Sequence, residues 1–173
     1  MMKLRHLIGL PVLEMETGTQ IGEIGEALVN IEAAAVWGFV IHGKDCGSAE
    51  GIVAFEDLSC LGHDAIMVKN HHVVHQIDSL SISNNKYYLR DLVDKQIVTD
   101  SGLSLGIVAD IVFDSGSGEI KSYQVSDSII SDFLYGRLIM PLPQTQVIGH
   151  DRVIVPEASS KCLHSEVEIA ETE

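Results

Sequence analysis

Apolar and polar positions along this chain fall into short runs that fit strands better than helices. Glu23-Ile24-Gly25-Glu26-Ala27-Leu28-Val29, Val36-Trp37-Gly38-Phe39-Val40-Ile41 and Ile107-Val108-Ala109-Asp110-Ile111-Val112-Phe113 are the longest. Ile120, Tyr123 and Val125 sit among polar neighbours, a partial alternation of the strand type. Turn signals punctuate the runs at Thr17-Gly18, Ser101-Gly102 and Ser115-Gly116-Ser117-Gly118. Short strands at this spacing, without a long helical pattern between them, predict a small barrel or sandwich. Closing such a sheet removes the exposed edges that many short strands create. Helix is expected as one turn at Phe55-Glu56-Asp57-Leu58 and as a short amphipathic stretch from Asp127 to Leu134, with the tail either poorly ordered or one frayed helix from about Val167 onward. Apolar residues at Ile129, Ile130, Phe133 and Leu134 mark the second of these.

The runs occur twice in the same order. Leu4, Arg5 and Leu7 correspond to Leu89, Arg90 and Leu92, and Val12-Leu13 to Ile97-Val98. Turn glycines Gly18 and Gly102 follow, and then Ile21-Gly22 and Leu105-Gly106. Near the end of each copy, LGHDAIMV (Leu61 to Val68) aligns with IGHDRVIV (Ile148 to Val155). The offset of about 85 residues is too long for a solenoid unit and suits a small domain. The expected organisation is all-β: two tandem small, mostly antiparallel β-barrels with little helix. The expected boundaries are residues 1–70 and 89–157, with a linker at 71–88 and an acidic tail at 158–173. Leu80-Ser81-Ile82 alternates and is expected to add a strand within the linker.

Composition narrows the function. Of 173 residues, 46% are hydrophobic and 21% charged, enough apolar material for a packed core. Net charge is -14, which repels phosphate backbones and anionic membrane surfaces. The acidity serves solubility first and is compatible with a basic protein partner. Cys46, Cys60 and Cys162 are odd in number and form no CxxC pair, so reduced thiols in a cytoplasmic compartment are expected. The N-terminal stretch is broken by Gly9, Pro11 and Glu14 and does not read as a signal peptide.

The opening Leu-Arg-x-Leu, the apolar pair, the turn glycine, the Ile/Leu-Gly pair and the segment Ile52-Val53-Ala54-Phe55-Glu56-Asp57-Leu58 together resemble the PRC-barrel domain. That family includes the cytoplasmic domain of the photosynthetic reaction-centre H subunit and the C-terminal domain of a ribosome maturation factor. The resemblance covers nearly the whole chain as two tandem copies. It implies a small, mostly antiparallel β-barrel in each copy and a role in assembly or protein contact. A reaction-centre role is not expected without a membrane anchor, nor an RNA-facing role with this charge. Copy two replaces Phe55-Glu56-Asp57 with Pro141-Leu142-Pro143 in this alignment.

Candidate chemistry is sparse. His71, His72 and His75 lie close together, with His63 upstream and Cys60 three residues before it. A metal would need three or four converging ligands, and this spacing is no standard ligand pattern. The plainer reading is a solvated linker. Gly62-His63-Asp64 and Gly149-His150-Asp151 read as turns: glycine permits positive φ and aspartate favours turns. Adjacent side chains on an extended segment point opposite ways, so a His–Asp pair is not implied there. Cys46 or Cys60 as a nucleophile would need a base such as His42 or His63, and unpaired thiols are mostly inert. Gly22 and Gly25 lie inside a strand pattern and fit bulges or close packing rather than a phosphate loop. Phe133, Leu134, Tyr135 and Leu138-Ile139-Met140 would form either a partner surface or the joint between the barrels.

The expected function is therefore a non-enzymatic protein-interaction or assembly module, with no catalytic, cofactor-binding or metal-ligating residue assigned. Its partner would be a protein, neither nucleic acid nor membrane, and self-association is compatible. The alternative is a metal- or small-ligand-binding regulatory protein using the His-rich linker, with metal binding by His63, His71, His72 and His75 left open. Any specific function should lie where the copies differ: the Asp127 to Met140 insert, the His-rich linker and the acidic tail.

Overall fold

A computed structural model describes residues 1–43, 50–77, 85–126 and 137–165. The chain divides into two compact units. One is Met1–Arg90 with Phe113–Glu119, and the other is Asp91–Val112 with Ile120–Glu173.

The first unit begins with β1 (Met2–Lys3) and one 3-10 turn, Leu4–His6. Strands β2 (Pro11–Glu14), β3 (Gln20–Asn30), β4 (Ala35–His42) and β5 (Glu50–Ala54) follow. After a 3-10 turn at Phe55–Asp57 come β6 (Leu58–Leu61), β7 (Ile66–Val68) and β8 (His75–Gln76). The hydrogen-bonded order is β6-β7-β2-β3-β4-β5-β8. One further strand, β9 (Lys86–Tyr88), pairs with β3. The predicted turn at Phe55 is therefore present.

The second unit repeats this order. A one-turn helix, α1 (Leu89–Leu92), runs from the end of the first unit into the second, and strands β10 (Gln96–Thr99), β11 (Ser104–Phe113) and β12 (Ile120–Ser126) follow. Then come β13 (Leu138–Pro141), β14 (Val147–Ile148), β15 (Arg152–Val155), a 3-10 segment at Glu157–Cys162, and β16 (His164–Ser165). The order is β14-β15-β10-β11-β12-β13-β16. Each sheet is curled and mostly antiparallel, with a parallel pair at β2–β7 and its twin β10–β15. The all-β class is as expected, with two curled sheets of matching strand order.

The equivalence reaches into irregular features. Both first hairpins carry a bulge at one place, between Val12 and Leu13 opposite Gly22, and between Ile97 and Val98 opposite Gly106. A side chain on Gly22 would come within 2.6 Å of the His42 carbonyl oxygen, and one on Gly106 within 2.5 Å of that of Ser126. Glycine is thus required by close backbone approach at the bulge, as the strand pattern predicts. The turn glycines Gly18 and Gly102 both have positive φ, at 71° and 90°. The Leu-Arg-x-Leu leucines Leu4, Leu7, Leu89 and Leu92 are all buried.

Register corrects one alignment. Phe39 lies opposite Val53, and Tyr123 opposite Met140, so Val53 corresponds to Met140. Phe55-Glu56-Asp57 then matches Leu142-Pro143-Gln144, one residue along from the match made on residue type. Ile139 and Met140 are buried strand residues of the second sheet, while Phe133, Leu134, Tyr135 and the helix expected from Asp127 lie outside the described residues. So do Leu80-Ser81-Ile82 and the chain from Glu166 onward.

The stretch expected as a linker contributes structure to the first unit. His71–Val73 is a 3-10 turn, β8 pairs with β5, and β9 pairs with β3. Tyr88 of β9 packs with Trp37 and Ile77 against the buried Leu28, Val40 and Ile52. The Lys86 ammonium sits 3.6 Å from the centre of the Trp37 ring, a cation–π contact. Part of the stretch expected as tail is structured too, since β16 pairs with β13.

The first unit also holds the turn Phe113–Glu119. Asp114 organises it, its carboxylate accepting from the Gly116 and Ser117 amides and the Ser117 hydroxyl. The Phe113 ring meets Phe55 edge-on at 6.4 Å. Val36 N–H donates to the Gly118 carbonyl at 2.8 Å.

Candidate functional site: a histidine-lined cleft in the first unit

Three adjacent strands place Glu23, His42 and Glu50 in one row. The register sets Glu23 opposite His42 and His42 opposite Glu50. Cross-strand partners lie on one face, so these side chains are neighbours. The His42 Nε2 is 3.2 Å from Glu50 Oε1. Its ring also occupies the space above Gly25, where a side chain would collide with it at 2.3 Å.

Beside this row opens a cleft of about 290 Å³. Ile21, Ile41 and Val74 supply apolar walls, and Glu50, His71, His75 and Gln76 a polar rim. Gly51 makes the floor, where any side chain would strike Val74 Cγ1 at 2.4 Å.

The wall formed by residues 71–76 is held in place by Glu14. Its carboxylate accepts the His71 amide at 2.8 Å and faces His71 Nδ1 at 2.9 Å. The Thr17 hydroxyl donates to its other oxygen at 2.5 Å. The Glu14 side chain is only 7% exposed, whereas His71 is 64% exposed, so the carboxylate is the buried partner. A buried carboxylate needs such donors, and they favour its charged form. The Thr17 hydroxyl first, then His71, bring the Glu14 pKa down from 4.5 to about 2. A lowered carboxylate pKa gives stability that is present above the unfolded value and lost as pH falls through the folded one. The first unit should therefore weaken progressively from about pH 4.5 to about 2. Titration of the Glu14 carboxyl carbon by NMR checks this, and a midpoint near 4.5 would remove the clasp.

The second unit builds the same corner from the opposite side. Thr99 stands where Glu14 does, and the carboxylate comes from Glu157, after β15. Glu157 accepts from Ser101, and its own amide donates to Asp100 at 3.1 Å. The hydroxyls of Ser101 and then Thr99 hold its carboxyl below the usual range. The cleft residues, in contrast, are matched only in part, His75 by His164. Register matches Gly51 to Leu138, Gln76 to Ser165 and His75 to His164. Glu50 then falls on Arg137, Glu23 on Ile107 and His42 on Ser126. Arg137 turns to Gln124, donating to its side-chain oxygen at 2.8 Å.

Of the residues singled out from sequence, His71 and His75 both line the cleft, whereas His63, His72, His150 and Cys60 do not. His63 and His150 do contact their neighbours Asp64 and Asp151, at 3.1 and 2.8 Å, which an extended segment would not imply. The reason is the turn itself: Gly62 N–H bonds Ala65 O, and Gly149 N–H bonds Arg152 O. The two imidazoles are 97% and 99% exposed, so neither pair is sheltered for chemistry. Lys95 pins the second turn by donating to the Gly149 and His150 carbonyls. His71 and His72 lie on a 3-10 turn rather than a strand, their rings 4.1 Å apart and tilted by 40°, and His75 is on β8. Among the described residues no three or more His, Cys, Asp or Glu side chains are grouped to hold a metal. Cys60 and Cys162 are exposed free thiols, and Cys46 lies outside the described residues. Sequence reasoning misses Glu14, Glu50 and Gly51 as site residues. Their signal is the mismatch between copies, Gly51 against Leu138.

Residues 84–161 match the family model of the PRC-barrel domain. The matched stretch opens just before β9 and ends within the 3-10 segment after β15, so it covers strands β9 to β15. The small β-barrel module implied by the resemblance is thus supported for this part of the chain. No curated protein matches the chain. No described helix is long and apolar enough to cross a membrane.

Proposed function

We propose that the chain is a non-enzymatic protein-interaction module of two PRC-type repeats, with the first-unit cleft as its docking site. The observation that carries this reading is the asymmetry of the repeats. The bulge, turn glycines and buried leucines common to both serve folding. Where the first repeat has Gly51 and Glu50, the second has Leu138 and Arg137, and a cleft with apolar walls and a polar rim opens beside the first pair. Apolar centre and polar rim are the ordinary anatomy of a protein contact. The family match supports the module, and the charge of -14 suits a basic partner in a cytoplasmic setting.

A photo-crosslinking residue at Gln76 of the full chain, in cells that make it, tests the reading. A discrete protein adduct is expected, absent when the probe stands at Ser165, the equivalent position in the second repeat. Adducts of equal yield at both positions, or none at Gln76, would overturn it.

The second reading is a small-ligand regulatory protein, favoured by His71 and His75 on the cleft rim. It predicts a ligand-dependent rise in melting temperature without a protein adduct.

A further inference from the structure

We infer that the first-unit cleft takes a cation on an aliphatic stem, the lysine side chain of a partner. This rests on the protein-interaction reading and adds the chemistry of recognition.

The apolar walls Ile21, Ile41 and Val74 match a chain of methylenes. At the rim, Glu50 is 59% exposed, open to a second charge beside its His42 contact. Glu23 adds another carboxylate on the far side of His42, and its side chain is exposed. An anion entering here would meet the Glu50 carboxylate on the rim and the overall charge of -14. A neutral apolar group would fill the walls and gain nothing from Glu50. The second repeat supplies the natural contrast. Ile107, Ser126 and Arg137 stand where Glu23, His42 and Glu50 stand, so one repeat is built for a cation and the other is not.

The test is a titration of the isotope-labelled full chain, followed by amide NMR, with n-hexylammonium, n-hexanol and hexanoate as probes. All three titrations are run at one pH at which hexylammonium and hexanoate both carry their charge. Hexylammonium should shift the Ile21, Ile41, Gly51 and Val74 amides and half-saturate at a concentration about fivefold lower than hexanol, the factor of one partly exposed charge pair. Hexanoate should bind least. Glu50→Arg, a change at an exposed side chain, should remove the preference for the ammonium. Gly51→Leu should abolish all three, but it strikes Val74, so Glu50→Arg is the deciding variant. Equal binding of hexylammonium and hexanol, or a preference that survives Glu50→Arg, would overturn the inference. Failure of hexylammonium with a Gln76 adduct still formed removes the lysine and leaves the partner reading intact. Binding of hexylammonium without any adduct makes this a small-amine site and overturns the assignment to a protein side chain.

Discussion

Gly106→Ala is expected to destabilise the second unit by about 3 kcal/mol, near the top of the ordinary range for a point substitution. Two causes act together. Gly106 has φ +124°, a conformation that L side chains rarely adopt. Its Cβ would also lie 2.5 Å from the Ser126 carbonyl oxygen, a backbone atom that moves only if β12 moves. Strain at a forbidden dihedral is worth about 1–3 kcal/mol, and the overlap adds to it. Gly102 separates the two causes. It has φ +90° but nothing within 4 Å of its Cβ, so Gly102→Ala should cost only about 1 kcal/mol. Gly22→Ala separates them from the other side, with a close carbonyl at 2.6 Å and no positive φ, and should fall between the two. Urea unfolding followed through resolved amides of the second unit measures Gly106→Ala and Gly102→Ala, and amides of the first unit measure Gly22→Ala. Equal losses for Gly106→Ala and Gly102→Ala would show that the bulge can shift to accommodate a methyl group.

Those glycines are legible in the amino-acid sequence, and the cleft is not. Ile21-Gly22 and Leu105-Gly106 are local signals: a β-branched or large apolar residue next to glycine, in a strand pattern, at the same place twice. The turn glycines and the His-Asp turns are equally local. The cleft depends on register between strands far apart in the chain. Glu14 reaches His71 across 57 residues, and the Glu23–His42–Glu50 row crosses three strands. No spacing rule contains such a relation. Strands β8 and β9 have two and three residues, too few for any periodicity to show, so the segment bearing them reads as linker. Even the error at Phe55 is of this kind. Residue type favours one alignment with Pro141-Leu142-Pro143, and the ladder between β12 and β13 places it one residue away. The duplication still points to the right question. Residues that both copies need belong to folding, and the copy differences at Gly51 and Glu50 mark the cleft.

Phe39→Ala should cost the first unit about 4 kcal/mol, the largest effect expected of any single substitution considered. Phe39 is among the largest fully buried side chains and lies mid-strand on β4, opposite Ala27 on one side and Val53 on the other. Ala27 and Val53 are small and themselves fully buried, so the ring fills space that they cannot reach. Truncation loses the buried area of a phenyl group and leaves a cavity that a sheet ladder on both sides resists closing. The twin position carries Tyr123, also fully buried, with its hydroxyl donating to the Gln146 side-chain oxygen at 2.7 Å. The two rings occupy matching strand positions, and the Tyr123 hydroxyl adds the bond to Gln146. Tyr123→Phe should cost only about 1 kcal/mol, the net value of a typical hydrogen bond. Tyr123→Ala should approach the Phe39→Ala loss. Chemical denaturation with amides of each unit as separate reporters distinguishes the terms. If Phe39→Ala and Tyr123→Phe cost the same, the aromatic position is not the packing centre of the repeat, and the equivalence drawn from the register fails there.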